Sequence, residues 1–517
     1  MIKHSFFIVL FLTCSLVRAD FYNMKELGAD PTGRTSCTEL INTTIKKGSG
    51  EGGATLYFPA GEYLTGAIRL ESNITIHLES GAILKFSDRF EDYLPFVRIR
   101  WEGVFMNSLS PLIYANRAEN ITIQGRGKLD GRGFKWWEES LRIIREINEN
   151  NGKTTTLNEL QQQWREANKG IRVSPYYERT MERKFFRPPF IQFLECKNIL
   201  IEGITIVNSP FWTINPEGCD DIVIHGVTIT NPSSNPKGHN TDGINPSSCR
   251  NVRISDCFIS VGDDCITIKS GRDEDGRNYG RPCENLTITN CVMLAGHGGV
   301  VIGSEMSGGV KKVAISNCVF NGTDAGIRLK ASRGRGGIVE EIRVDNIIMN
   351  DIQRNAFIFD LFYDKDSQEE PISERTPTFR NIHISNVTGS NIKKIGYITG
   401  IREMPIEEIS FNNVNLTGME GFTANTAQNI RFTNVDFAVE KGPSFAFEDC
   451  KDIILDNIRS KKPLPQQPVA DISNCNNVFI TNCFPVVTTP VFCKTKASGV
   501  SWGNNFKDNV NQWEITE

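Results

Sequence analysis

A short unit recurs along most of this chain: an Asn or Asp, a run of alternating apolar residues, then a polar or Asn/Gly turn. It reads NITIHLESG from Asn73, NITIQGRG from Asn120, NILIEGITIVNS from Asn198 and DIVIHGVTITNP from Asp221. It returns at Asn251, Asn285, Lys312, Glu341, Asn381, Glu408, Asn429, Asp452 and Asn477, with starts mostly 21 to 34 residues apart. Alternation with a period of two makes these runs strands. Irregular self-similarity at this spacing marks a solenoid. Three short strands with intervening turns fit one unit, so the expected fold is all-β, a right-handed parallel β-helix with stacked Ile, Val, Leu and Phe inside. The units are too short for the four-stranded blades of a propeller. Asparagine suits the turns because it tolerates the left-handed backbone conformation.

Residues 133–186 break the rhythm. They are charged and helix-prone, with FKWWEESLRIIREINENNGK and LNELQQQWREANKG, and have no place inside a rung. The segment reads as an insertion over one side of the solenoid, with Trp136 and Trp137 packing it down rather than stacking on a ligand. Residues 1–19, MIKHSFFIVLFLTCSLVRA, resemble a secretory signal: a basic start, a short apolar run and small residues before Asp20. Residues 20–517 are then expected to form a single β-helix domain. No later run is long and apolar enough to span a bilayer, so the chain is expected to be exported, to the periplasm or beyond, and to act as a monomer. A net charge of −4 argues against nucleic acid as the main partner.

Of the 14 cysteines, 13 would remain after signal removal. Export permits disulfides, but spacing cannot pair them. Cys257, Cys291, Cys318 and Cys483 share one local setting (SDC, TNC, SNC, TNC), which reads as small buried packing residues. No CxxC pair or His/Cys cluster points to a metal.

Chemistry concentrates in four consecutive units. SVGDDCITIKSG places Asp263 and Asp264 side by side, in a stretch where Asp264 falls in step with Ile266 and Ile268. A regular strand would bury that carboxylate at considerable expense. Gly262 offers a bend that turns both acids outward. One rung earlier, HNTDGINP contributes Asn240 and Asp242, with Asp242 lying 21 residues before Asp263. Later rungs add His297 between glycines in AGHGGVVIGSE, and Arg328 and Lys330 on one face of GIRLKAS. Stacked, these become one patch of three acids, a histidine and a basic pair. Crowded acids push their proton affinities apart, so one can stay protonated while another is ionised. That arrangement suits hydrolysis of a glycoside, which needs a proton donor and a base for water.

In this order, NTDG, GDD, GHG and RLK resemble the motifs of the polygalacturonase family, glycoside hydrolase family 28. The last motif is usually RIK, so Leu329 is a conservative departure on the inward face. The resemblance runs from about Phe21 to at least Asn355, including GADPTGRTSC and YFPAGEYLTGAI. It implies an inverting hydrolase acting on α-1,4-linked galacturonic acid in pectin or oligogalacturonides, without metal or other cofactor. By motif, Asp263 would be the general acid, Asp242 and Asp264 would activate water, and His297 would support the acid. Arg328 and Lys330 would bind a substrate carboxylate, and Asn240 would orient its neighbours or the sugar. The insertion favours release from chain ends over internal cleavage. Rival readings are a hydrolase of rhamnogalacturonan or substituted pectin, a calcium-dependent pectate lyase, and a non-catalytic carbohydrate-binding β-helix.

Overall fold

The computed structural model describes residues 20–150, 158–170, 187–234, 237–503 and 513–515; the signal-like segment lies outside them. Strands account for 54% of the structure, and the solenoid is a right-handed parallel β-helix. One interior column shows how the rungs stack. Ile76, Ile123, Ile201, Ile224, Ile254, Ile288, Ile315, Val344, Ile384 and Phe411 are register partners from coil to coil. Every one of them is buried. The alternating pattern thus becomes a continuous apolar core with polar residues outside.

The corners have an equally local cause. Each of the unit starts from Asn73 to Asn477 adopts a left-handed backbone, with φ between 53° and 63°. Most are Asn or Asp, but Lys312, Glu341 and Glu408 are held there too. The asparagines also bond along the solenoid: Nδ2 of Asn120 donates to Asn73 Oδ1 at 2.7 Å, and Nδ2 of Asn198 donates to Asn120 Oδ1 at 2.8 Å. Similar bonds join Asn251 to Asp221 and Asn285 to Asn251.

The repeated Asn/Asp–Cys setting has the same logic. Asp256, Asn290, Asn317 and Asn482 are left-handed. The thiols of Cys257, Cys291, Cys318 and Cys483 each donate to the carbonyl two residues earlier, at 3.2–3.3 Å. All 13 described cysteines are buried and unbridged.

Helix Thr38–Gly50 covers the first coils, with Ile41 and Ile45 buried. The insertion supplies helices Phe134–Glu149 and Glu159–Ala167; its residues 151–157 and 171–186 lie outside the described residues. Both tryptophans pack, as expected. Trp136 lies 4.5 Å from the Phe90 ring, and the Trp137 indole donates to Ser209 O at 3.0 Å. The repeat pattern gives no warning of an antiparallel hairpin, Val97–Trp101 with Val104–Ser108. It is pinned by Arg100, fully buried, which reaches Ser248 at 3.0 Å, Asp275 at 3.4 Å and Glu217 at 3.5 Å.

Candidate active site

Strands Ile266–Ile268, Val300–Gly303, Ala325–Lys330 and Asn355–Asp360 lie side by side. Their register sets Thr267, Val301, Arg328 and Ile358 in one column, and Ile266, Val300, Ile327 and Phe357 in the next. The second column is core. Arg328 and Ile358 of the first, with the loops above it, line a cleft of about 1420 Å³ that also holds the other residues singled out from the sequence: Asn240, Asp242, Asp263, Asp264, His297 and Lys330.

The acids sit on an irregular stretch, because the strand begins only at Ile266. Gly262 packs so tightly that an added Cβ would lie 2.1 Å from Gly238 O, and its N–H donates to Thr241 Oγ1 at 3.1 Å. The expected bend is therefore there, but its result differs in one respect. The Asp263 side chain is 15% exposed, whereas that of Asp264 is 2% exposed; Asp264 faces the cleft yet is sealed beneath Lys330. The stacking also shifts by one residue. Ile244 bridges Ile266, and Gly243 N–H donates to Asp264 O at 3.0 Å. Asp242 therefore stands in the row of Asp264, not of Asp263.

Each acid has a distinct environment. Asp264 Oδ2 accepts from Lys330 Nζ at 3.0 Å, while its Oδ1 is buried with no hydrogen-bond partner among the described residues. Asp242 lies 3.4 Å from Thr267 Oγ1 and 4.0 Å from Lys269 Nζ. Burial and the Asp263 charge hold its carboxyl well above the usual carboxylate range, with Lys269 and Lys330 opposing. Asp263 Oδ1 accepts from His297 Nδ1 at 3.0 Å and from Asp264 N–H at 2.9 Å. Burial acts to raise Asp263, but the His297 bond and the His297, Lys330 and Lys269 charges outweigh it and leave the carboxyl below its ordinary range. The same bond raises His297 against its burial.

Asn240 is a bridge. Its Nδ2 donates to Asp263 Oδ2 at 3.3 Å, and its Oδ1 accepts from Arg187 Nη2 at 2.8 Å. Arg187 is buried, with its guanidinium 4.9 Å from the Phe211 ring. Arg328 and Lys330 share the cleft face, as expected, and both lie beneath the ring of Tyr363, at 5.5 and 5.7 Å.

Lys237, Lys269, Glu305, Arg187 and Tyr363 escaped the sequence reading. Lys269 was the most accessible, since it falls in step with Thr267 on the outward face of ITIKSG. The others come from loops with no periodicity to place them. Among the described residues, neither insertion helix lines the cleft. Its walls include Glu102 and Val104 of the hairpin, Asp273 to Arg277, and Arg333 to Arg335.

Donor atoms of Asp263, Asp264 and His297 lie within 4.8 Å of one another. Lys330 already neutralises Asp264, and His297 already bonds Asp263, so the trio offers a cation little uncompensated charge. The arrangement is better suited to moving protons than to holding a metal.

A family model described as glycosyl hydrolases family 28 matches residues 177–430, a span containing all seven residues. One described as rhamnogalacturonase A/epimerase, pectate lyase-like, matches residues 21–94. The chain is 30% identical over 412 residues to a probable polygalacturonase of Vitis vinifera, covering 78% of this chain and 75% of that one. It resembles the structure of a hyperthermoactive exopolygalacturonase from Thermotoga maritima at 32% identity and TM-score 0.68, covering 81% and 91% of the two chains. A family 28 exopolygalacturonase of Yersinia enterocolitica shares the fold, with TM-score 0.71 at 21% identity over 85% of this chain and 79% of that one.

Proposed function

The chain belongs to glycosyl hydrolase family 28 and is a pectin-hydrolysing enzyme of polygalacturonase type; from that premise we propose that it releases galacturonic acid from the ends of α-1,4-galacturonan chains with inversion. Asp263 protonates the glycosidic oxygen. A water held by Asp242 and Asp264 attacks the anomeric carbon from the other side as the C–O bond breaks. The water's proton passes to the Asp242–Asp264 pair, and solvent restores the starting state.

The observation that carries these roles is the difference between the carboxylates. Asp263 is the most open to the cleft, so it is the acid a glycosidic oxygen can reach. Asp264 is deep and anchored through Oδ2 to Lys330, and its Oδ1 has no hydrogen-bond partner among the described residues, so no other donor competes for its charge. In the free site the neutral imidazole gives its Nδ1–H to Asp263 Oδ1 across 3.0 Å; the acid form of the pair carries one further proton, taken up from solvent on Asp263, and that is the proton the leaving oxygen receives. The Asp242–Asp264 pair must end the step holding the water's proton, so it must begin ionised. Lys269 and Lys330 favour that state against burial.

End-wise action rests on the walls that loops raise around the cleft and on the exopolygalacturonase at 32% identity. Pectin-degrading enzymes of this family are generally extracellular or secreted, which fits export.

The test is incubation of the purified protein with polygalacturonan in the presence of chelator, sizing products over time and following the new anomer by NMR. Early free galacturonic acid of inverted configuration supports the reading. Early mixed oligomers overturn the end-wise mode, and an unsaturated, calcium-dependent product overturns hydrolysis. Activity confined to rhamnogalacturonan or substituted pectin moves the substrate. Asp263→Asn should lower kcat by ~10³-fold or more with the fold intact; near-normal turnover would remove Asp263 from its role.

A further inference from the structure

Beside the carboxylates, and lining the same cleft, stands a cluster of charges of which the reaction scheme uses only Lys269. Lys269, Arg272 and Glu305 are all more than nine-tenths buried. Glu305 Oε2 accepts from Lys269 Nζ at 2.8 Å, and its Oε1 lies 3.6 Å from Arg272 Nη1 and 3.5 Å from Ser304 Oγ. The Lys269 ammonium also lies 4.5 Å from the Trp212 ring centre and 4.0 Å from Asp242 Oδ2. Backbone pairing fixes this cluster, since Ser270 N–H donates to Glu305 O at 2.7 Å.

We propose that Lys269 and Glu305 form a positioning pair that sets the charge felt by Asp242: the ammonium holds Asp242 ready to ionise, and the carboxylate limits how strongly it does so. This rests on Asp242 acting in its ionised form. The groups facing Asp242 are Asp263 and Asp264 from the next coil, Lys269 just past that coil's strand Ile266–Ile268, and Lys330 three coils on. Arg187 adds its charge from outside the coil. Lys330 is already bonded to Asp264, so among the described residues Lys269, at 4.0 Å, is the cation paired with Asp242. Glu305, itself faced by Lys269, Arg272 and Arg335, offsets part of that charge. A buried pair with no influence on the site would be a poor use of a charged cluster, because desolvating two ions commonly outweighs their attraction.

Opposite charges make the test sensitive to sign. Lys269→Met should raise the proton affinity of Asp242 and move the acid limb of the kcat/KM profile to higher pH. Glu305→Gln, which keeps the side-chain shape, should move the same limb to lower pH. Each shift is expected to be about 0.5–1 unit, with the alkaline limb fixed. If Lys269→Met fails to fold, Glu305→Gln decides alone. A folded Glu305→Gln enzyme with an unmoved profile, or two variants that shift it the same way, overturns the proposal and leaves Asp242 as base untouched. Opposed shifts of the alkaline limb instead uphold the pair but overturn the base role of Asp242. Normal turnover by Asp242→Asn overturns both.

Discussion

His297 is held from both sides: its Nδ1 lies 3.0 Å from Asp263 Oδ1, and its Nε2 lies 2.8 Å from Lys237 Nζ. An ammonium can only donate, so Nε2 accepts and the ring proton sits on Nδ1, aimed at Asp263. The Asp263 bond raises the histidine, while burial and Lys237 oppose it. Removing the lysine charge with Lys237→Met should therefore strengthen proton retention by the Asp263–His297 pair. The alkaline limb of kcat/KM should move to higher pH by about 0.5 unit. An unmoved limb, measured beside the wild type, would mean that Lys237 does not face the histidine in solution.

Arg328 and Lys330 were expected to share one task, binding a substrate carboxylate. The structure divides them. Lys330 is buried and bonded to Asp264 at 3.0 Å, whereas Arg328 is half-buried and its Nε has no hydrogen-bond partner among the described residues. Arg328→Ala should raise KM by ~10-fold or more with a smaller loss in kcat, as expected of ground-state binding. Lys330→Met leaves Asp264 as a buried carboxylate without its cation, and should lower kcat by ~10²-fold. Steady-state kinetics on oligogalacturonides separates the two; equal effects on KM would restore the shared role.

The fold was legible because its cause is local and repeated. A left-handed Asn and a period-two apolar run state the corner and the strand of every coil, whatever lies between coils. Site membership followed from the same repetition, since stacking carries Asp242, Asp264 and Arg328 into neighbouring rows. Fine placement did not. Subtracting positions paired Asp242 with Asp263, but the irregular turn at Gly262 takes up a residue and puts Asp242 level with Asp264. The hairpin, Lys237 and Glu305 depend on loops whose path is set by tertiary packing, and no period in the chain encodes that. The insertion helices were foreseen, yet the described part of that segment braces the cleft's surroundings rather than lining it.

The asparagine ladder gives a stability prediction with an internal control. Asn198 has φ +54° and donates to Asn120 at 2.8 Å. Asn198→Val loses that exposed bond and forces a β-branched residue into the left-handed region, which costs about 1–2 kcal/mol for the backbone alone. Asn198→Gly loses the bond, worth ~0.5–1 kcal/mol, but suits the backbone. Denaturant unfolding should rank wild type, Gly and Val in falling stability. A Val variant as stable as the Gly variant would show that the left-handed corner is not what asparagine serves.

Glu217 predicts how stability changes with pH. Its side chain is 1% exposed, and burial pushes its carboxyl up to about 7 despite Arg100 at 3.5 Å and a bond from Asn215 at 3.0 Å. The folded state therefore holds this proton more tightly than the unfolded chain, whose glutamate releases it near the ordinary value of ~4.3. The associated stability is complete below about pH 4, falls as pH rises through 7, and is then lost, a change of roughly 3–4 kcal/mol. Glu217→Gln cannot release a proton, keeps an acceptor for Asn215, and leaves Arg100 its contact with Asp275. From about pH 5 to 8, the Tm of the wild type should drop more than that of the variant, because every other titrating group, Asp242 included, is common to both. Parallel Tm curves would mean that Glu217 is ionised throughout, with Arg100 strong enough to overcome its burial.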